Sequence, residues 1–194
     1  TVGNGICPSV FSDVMIVVAS NPPVADAGPN DTICGNSTTL SGNISTVGIG
    51  TWTLVSGSGN FVNANSATTL VNNLGLGDNI FRWTLNNPPC TPTFDDVTIR
   101  VTSIPAIADA GRDTTICSVD SIALNGNNLV SQSKKWTILS GGGGSFTSGI
   151  DTLATSVFHG IPDSTYVLRW TLSNPPCADS FDDVVITFLR APST

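Results

Sequence analysis

Residues 80–101 read IFRWTLNNPPCTPTFDDVTIRV, and residues 167–188 read VLRWTLSNPPCADSFDDVVITF. The two stretches share Arg-Trp-Thr-Leu (Arg82–Leu85, Arg169–Leu172), Pro-Pro-Cys (Pro88–Cys90, Pro175–Cys177) and Phe-Asp-Asp-Val (Phe94–Val97, Phe181–Val184), 87 positions apart. Each opens on a short apolar and aromatic run and breaks at a proline pair. It resumes with Val97, Ile99 and Val101 facing one way and Thr98 and Arg100 the other. Period-two alternation marks a half-buried strand.

Working outward, Ala25–Gly28 returns as Ala108–Gly111 and Thr32-Ile33-Cys34 returns as Thr115-Ile116-Cys117, both 83 positions later, while Trp52 matches Trp136. The change of offset places insertions in the intervening loops. Cys7, Phe11, Asp13 and Val14 stand 83 positions ahead of Cys90, Phe94, Asp96 and Val97. Self-similarity at a fixed period signals repeated modules. The chain therefore divides into residues 1–20, the C-terminal strands of a preceding truncated repeat, and two full repeats, 21–104 and 105–194. Proline-containing linkers at Asn21–Val24 and Ser103–Ala106 separate them. With no leader or lipidation box and Thr1 in place of methionine, the sequence reads as an internal fragment with further repeats on both sides.

Composition narrows the fold. The chain has 194 residues, 40% of them hydrophobic, and all 14 acidic residues are aspartate. Glycine (19) and proline (12) are abundant, so turn-formers and strand-formers outnumber helix-formers. Positive mean hydropathy argues against disorder, and no apolar run approaches the roughly 18 residues of a membrane helix. The net charge of −7 leaves no basic stripe for nucleic acid and is repelled by an anionic membrane. Several short strands per repeat, punctuated by Gly57–Asn60, Gly75–Asp78 and Gly141–Gly144, predict an all-β chain of tandem immunoglobulin-like β-sandwich domains. Trp52 and Trp83 fill one core and Trp136 and Trp170 the next, a core role that the repeat favours over a sugar-stacking platform.

Four of the five cysteines occupy matching ends of the two full repeats. The simplest connectivity joins Cys34 to Cys90 and Cys117 to Cys177, giving each domain one intradomain disulfide and closing loops of about 60 residues, worth about 4 kcal/mol on the chain-entropy model. Cys7 is unpaired in the fragment because its partner belongs to the missing front of its unit. Disulfides imply an oxidising, extracellular compartment. Zinc is disfavoured, since there is no CxxC and His159 is the single histidine.

The Asp-Ala-Gly opening, the Thr-Ile-Cys after it, Gly-Thr-Trp-Thr at Gly50–Thr53, Arg-Trp-Thr-Leu and the Cys-then-Phe-Asp-Asp-Val ending resemble the repeats of giant secreted Bacteroidetes surface proteins. Gliding-motility adhesins are the best-known members, and PKD-type modules are related in style. The resemblance covers nearly the whole chain; Lys134-Lys135 in place of Gly50-Thr51 and Arg112 in place of Pro29 are its departures. It implies a cell-surface filament of tandem domains, exported by type IX secretion and used in adhesion and gliding. It also implies O-glycans on Asp-Ser/Thr triplets, with acceptors Thr32, Thr114, Ser121, Thr152 and Ser164.

Asp26 and Asp109 near the linkers, with Asp96 and Asp183 on the last strands, are the candidate calcium ligands, calcium being the single cofactor considered. Neighbours on a strand point to opposite faces, so Asp95 and Asp96 reach one ion only through a bulge. Solvated turn carboxylates or strand-end hydrogen bonding are the plainer reading. Paired carboxylates that recur in every repeat behave as structural residues, and His159, expected in an exposed loop, has no triad partners, so no enzyme is expected. Gly141–Gly144 lacks the Gly-Lys-Ser/Thr of a phosphate loop and reads as a flexible hairpin tip. Arg82 and Arg169 are expected in cross-strand ion pairs.

These readings converge on a non-catalytic repeat segment of a large cell-surface adhesin filament. Its partners are neighbouring repeats and surface polysaccharide or another extracellular ligand, met through loops such as 57–65 or 141–151. Two other classes remain: a carbohydrate-binding or spacer module of a secreted enzyme, and a strand-exchanged fibre subunit using Val14–Val18.

Overall fold

A computed structural model describes residues 12–128 and 132–191 of the chain. Each of the alternating runs is a strand. In the first module the strands are β1 (Asp31–Cys34), β2 (Ser37–Ser41), β3 (Ile49–Ser56), β4 (Asn60–Phe61), β5 (Thr68–Asn72), β6 (Gly77–Asn86) and β7 (Thr93–Thr102). The second module repeats them as β8 (Thr114–Cys117), β9 (Ser121–Ala123), β10 (Ser133–Ser140), β11 (Ser145–Phe146), β12 (Val157–His159), β13 (Ser164–Ser173) and β14 (Ser180–Leu189), with one 3-10 turn at Thr147–Gly149.

Each module stacks a four-stranded sheet on a three-stranded one: β1-β7-β6-β3 over β2-β5-β4, then β8-β14-β13-β10 over β9-β12-β11. β6 and β7 are antiparallel, joined through Asn-Pro-Pro-Cys, in which the Pro88–Pro89 bond is cis; so is Pro175–Pro176 between β13 and β14. β1 pairs with β7 in parallel, Asp31 opposite Ile99 and Cys34 opposite Thr102; β8 repeats this on β14, Cys117 opposite Leu189. The chain thus enters each sandwich at the β6–β7 turn, the head pole. Its first strand ends at the opposite tail pole, beside the end of the last strand. Val14–Val18 forms no strand and is exposed, because no described strand lies beside it to supply a hydrogen-bonding ladder.

Inward residues of both sheets form one core per module. Trp52, Val71, Phe81, Trp83, Leu85 and Val97 pack in the first, and Trp136, Phe158, Tyr166, Leu168, Trp170 and Phe188 in the second. The tryptophans pair across the sheet at 5.0 Å (Trp52–Trp83) and 4.9 Å (Trp136–Trp170) between ring centroids. Each indole N–H is satisfied: Trp52 donates to Ala67 O, Trp83 to Asn43 O, Trp136 to Leu153 O and Trp170 to Asn127. Gly42 and Gly126 are glycine because a Cβ there would lie 2.8 Å from the Trp83 or Trp170 ring.

Several buried positions differ between the modules, and one of them ties loops to a strand. Asn79 accepts from Ser58 N at 2.9 Å and donates to Gly75 O at 2.8 Å, tying two loops to β6. Its counterpart Tyr166 does the same through its hydroxyl, donating to Gly142 O and accepting from Ile161 N. Gly141–Gly144 is therefore a turn pinned by Tyr166, with left-handed backbone at Gly141 and Gly143, and not the flexible tip expected. His159 also departs from expectation: it lies in β12, half-buried, its Nε2 2.8 Å from the Thr147 hydroxyl.

Candidate functional site

The repeated acidic motifs resolve into a latch and a clamp. Asp95, on the inward side of β7, accepts a hydrogen bond from Ala27 N at 2.8 Å, and Asp182 accepts from Ala110 N at the same distance. This carboxylate pins the opening segment of each module to its last strand. The opening is held from the other side by Asn43, which accepts from Asp26 N, donates to Val24 O and bonds Asp26 O through its own backbone N–H. Asn127 repeats the arrangement with Asp109 and Ile107. Asp26 and Asp109 also cap their own turns, accepting from Gly28 N and Gly111 N.

Asp96 and Asp183 point to the other face. Arg82 grips Asp96 in a two-pronged pair, Nε to Oδ1 at 2.7 Å and Nη2 to Oδ2 at 2.8 Å, and its guanidinium lies 4.0 Å over the Phe94 ring. Arg169 does the same with Asp183 and Phe181. The hydrogen bonds from each arginine hold both carboxyls below the usual carboxylate range; burial opposes them, and the arginine's charge adds a smaller lowering. All four candidate calcium ligands thus have other partners, and among the described residues no three Asp, Glu, His or Cys side chains converge as a metal site. Of the candidate glycan acceptors, Thr32 and Thr152 are exposed and Thr114, Ser121 and Ser164 half-buried.

The cysteines carry the chief correction. The bridge is Cys34–Cys177, with Cα atoms 5.0 Å apart and 143 positions between them in sequence; Cys90 and Cys117 are free thiols. Intradomain pairing fails for a geometric reason. Cys34 is opposite Thr102 at the tail pole, whereas Cys90 precedes Thr93 at the head pole. The nine residue steps of β7 alone span roughly 30 Å at about 3.3 Å each. A disulfide requires Cα atoms within about 7 Å. The same separation divides Cys117 from Cys177 along β14. Cys7 lies outside the described residues.

The bridge belongs to a built junction. Where the first module ends, the Thr102 hydroxyl sits 3.4 Å from Cys177 Sγ, and Asn174 Nδ2 donates to Ser103 O at 2.8 Å. The tail pole of one sandwich is thus bonded, covalently and by hydrogen bonds, to the β13–β14 turn of the next. Closing so long a loop restricts the unfolded chain by about 5 kcal/mol on the chain-entropy model. Asn87, Asn174, Asn43, Asn127 and Thr102 were not singled out in the sequence, although Asn directly before Pro-Pro-Cys in both repeats is a visible signal. The concave surfaces are shallow: clefts of about 490 Å³ (Asp109–Thr114 against Ile122–Asn125) and 300 Å³ (Ala27–Asp31 against Thr38–Ser41) recur at the same open edge of each sandwich.

Sandwiches with this strand order place the chain among immunoglobulin-like modules. No known family profile and no curated protein matches it. Among solved structures it is similar to immunoglobulin domains 1–4 of Sidekick-1 (14% identity, 91% of this chain and 51% of that one, TM-score 0.55). It is also similar to murine CEACAM1b (13% identity, 81% of this chain and 96% of that one, TM-score 0.52). The PKD domain of the KIAA 1837 protein matches at 25% identity over 46% of this chain and 93% of its own, with a TM-score of 0.37. The chain spans about half the length of the Sidekick-1 structure, and at these identities the likeness is one of fold. The chain is a tandem of immunoglobulin-like β-sandwich modules.

Proposed function

We propose that the chain is a non-catalytic stretch of an extracellular, multi-module surface filament of adhesin type. The observation that carries this reading is the Cys34–Cys177 bridge. A disulfide of this kind persists in oxidising compartments, and one that joins two modules braces the junction between them, which a catalytic or soluble monomeric role does not require. The division into residues 1–20, 21–104 and 105–194 belongs to this proposal, with Val14–Val18 completing the sheet of a preceding module as Val97–Val101 does in its own. The resemblance to gliding-motility adhesin repeats supports surface adhesion and movement with export by the type IX route, and surface polysaccharide as the ligand class. The test is an antibody against the chain applied to intact source cells. Labelling without permeabilisation, with the epitope protease-accessible, is expected; labelling that requires permeabilisation would overturn the reading.

A further inference from the structure

The observed bridge follows a positional rule. The cysteine that ends the first strand of one module (Cys34) bonds the Pro-Pro-Cys cysteine of the module that follows (Cys177). Cys117 is a cysteine of the first kind and Cys90 one of the second, and both are thiols with partial or full exposure. We infer that Cys90 and Cys117 are inter-module disulfide sites: Cys117 bonds the Pro-Pro-Cys cysteine of a module docked after the second sandwich, and Cys90 bonds the first-strand cysteine of a module docked before the first.

Two observations beyond the cysteines themselves carry this. The surroundings of Cys177 are reproduced around Cys90: Asn174 donates to Ser103 O at 2.8 Å and Asn87 donates to Ser20 O at 2.8 Å. Cys177 Sγ lies 3.8 Å from Thr102 O, and Cys90 Sγ lies 3.6 Å from Ala19 O. Residues 19 and 20 therefore occupy, against the first module, the place that the end of β7 occupies against the second. At the other end Cys117 holds the register of Cys34, opposite the last residue of the final strand. Among the described residues the alternatives are closed by geometry. Cys90 and Cys117 each lie a strand's length from the junction, at opposite poles, and neither can reach the cysteine of its own module.

The consequence is a staggered ladder in which each bridge spans one junction. The covalent path then advances two modules through the backbone from a Pro-Pro-Cys cysteine to the next first-strand cysteine. That path is 27 residues for Cys90 to Cys117, about 95 Å when taut at about 3.5 Å per residue. This is on the scale of two folded sandwiches, so the array cannot lengthen much even when its modules unfold. Each bridge forms by thiol–disulfide exchange: two thiols give up two protons and two electrons to a disulfide oxidant such as oxidised glutathione, which leaves as two reduced thiols.

The inference rests on the tandem-array reading, and its test separates the two. The full chain is extended after Pro192 with a second copy of residues 106–191, refolded with oxidised and reduced glutathione, alkylated and digested without reduction. The expected product is a peptide joining Cys117 to the appended counterpart of Cys177, near one per chain, alongside the Cys34–Cys177 peptide. In Cys117→Ser the appended cysteine is expected to be recovered alkylated. Cys34–Cys177 present but Cys117 recovered as a thiol, or joined to Cys90, overturns the ladder alone. Loss of Cys34–Cys177 itself overturns the junction reading with it.

Discussion

Pulling the oxidised chain by residues 12 and 191 carries the load through β1, the Cys34–Cys177 bridge and β14, and shields the residues between the two cysteines. Tension crosses the disulfide and bypasses the residues between, so only the 22 described residues ahead of Cys34 and the 14 beyond Cys177 can extend. At about 3.5 Å per residue this is about 130 Å in total, and no single release beyond Cys177 exceeds about 50 Å. After reduction, or in Cys34→Ser/Cys177→Ser, the whole span from 12 to 191 is extensible to about 630 Å. Each sandwich then unfolds in a step of roughly 200 Å, the contour of its 70-odd residues less its folded length. Optical tweezers with handles at both ends, with and without a phosphine reductant, read these steps directly. Intradomain bridges would leave the 26 residues between Cys90 and Cys117 free and add about 90 Å. A 200 Å step in oxidised protein, or that extra 90 Å, would refute the reasoning.

Further outcomes follow from the same contacts. Asn79→Ala leaves Ser58 N and Gly75 O without partners inside the first module and is expected to cost about 2–3 kcal/mol in urea denaturation, with the second module unchanged. Asp95→Ala removes the charged acceptor of Ala27 N, so that amide should exchange roughly 10- to 100-fold faster while Ala110 N, held by Asp182, keeps its protection. Asp96 and Asp183 have folded pKa values below their unfolded value of 3.8, so their contribution is present above that pH and is lost as pH falls through the folded values. Carboxyl NMR titration should find both midpoints below 3.8; a midpoint at or above it in wild type would contradict the pairs, and Arg82→Ala should raise that of Asp96 alone. Trp170→Ala should cost about 3–5 kcal/mol and melt the second module ahead of the first.

The repeated Phe-Asp-Asp-Val shows how far a sequence can be read. That neighbouring aspartates on a strand face opposite ways is a local property of extended backbone, and it separates Asp95 from Asp96 without any structure. A cross-strand ion pair for Arg82 was also legible, but that its partner is Asp96 comes from the β6–β7 register. The partner of Asp95 was not: the Ala27 amide lies 68 positions away and reaches it only because the opening segment folds back along β7. The missed asparagines share this character, their acceptors being backbone carbonyls contributed by segments distant in sequence.

The strands of the two full modules, the two cores with their tryptophan pairs, and the modular repeat were determined by the sequence alone, because alternation, β-branched content and self-similarity act within short windows. The disulfide connectivity was decided by tertiary structure. Which pole a cysteine occupies depends on the parallel register of the first strand on the last, and spacing along the chain does not encode that register. Two cysteines bracketing one module therefore lie too far apart to bond. Two separated by 143 positions meet because one module's tail abuts the next one's head.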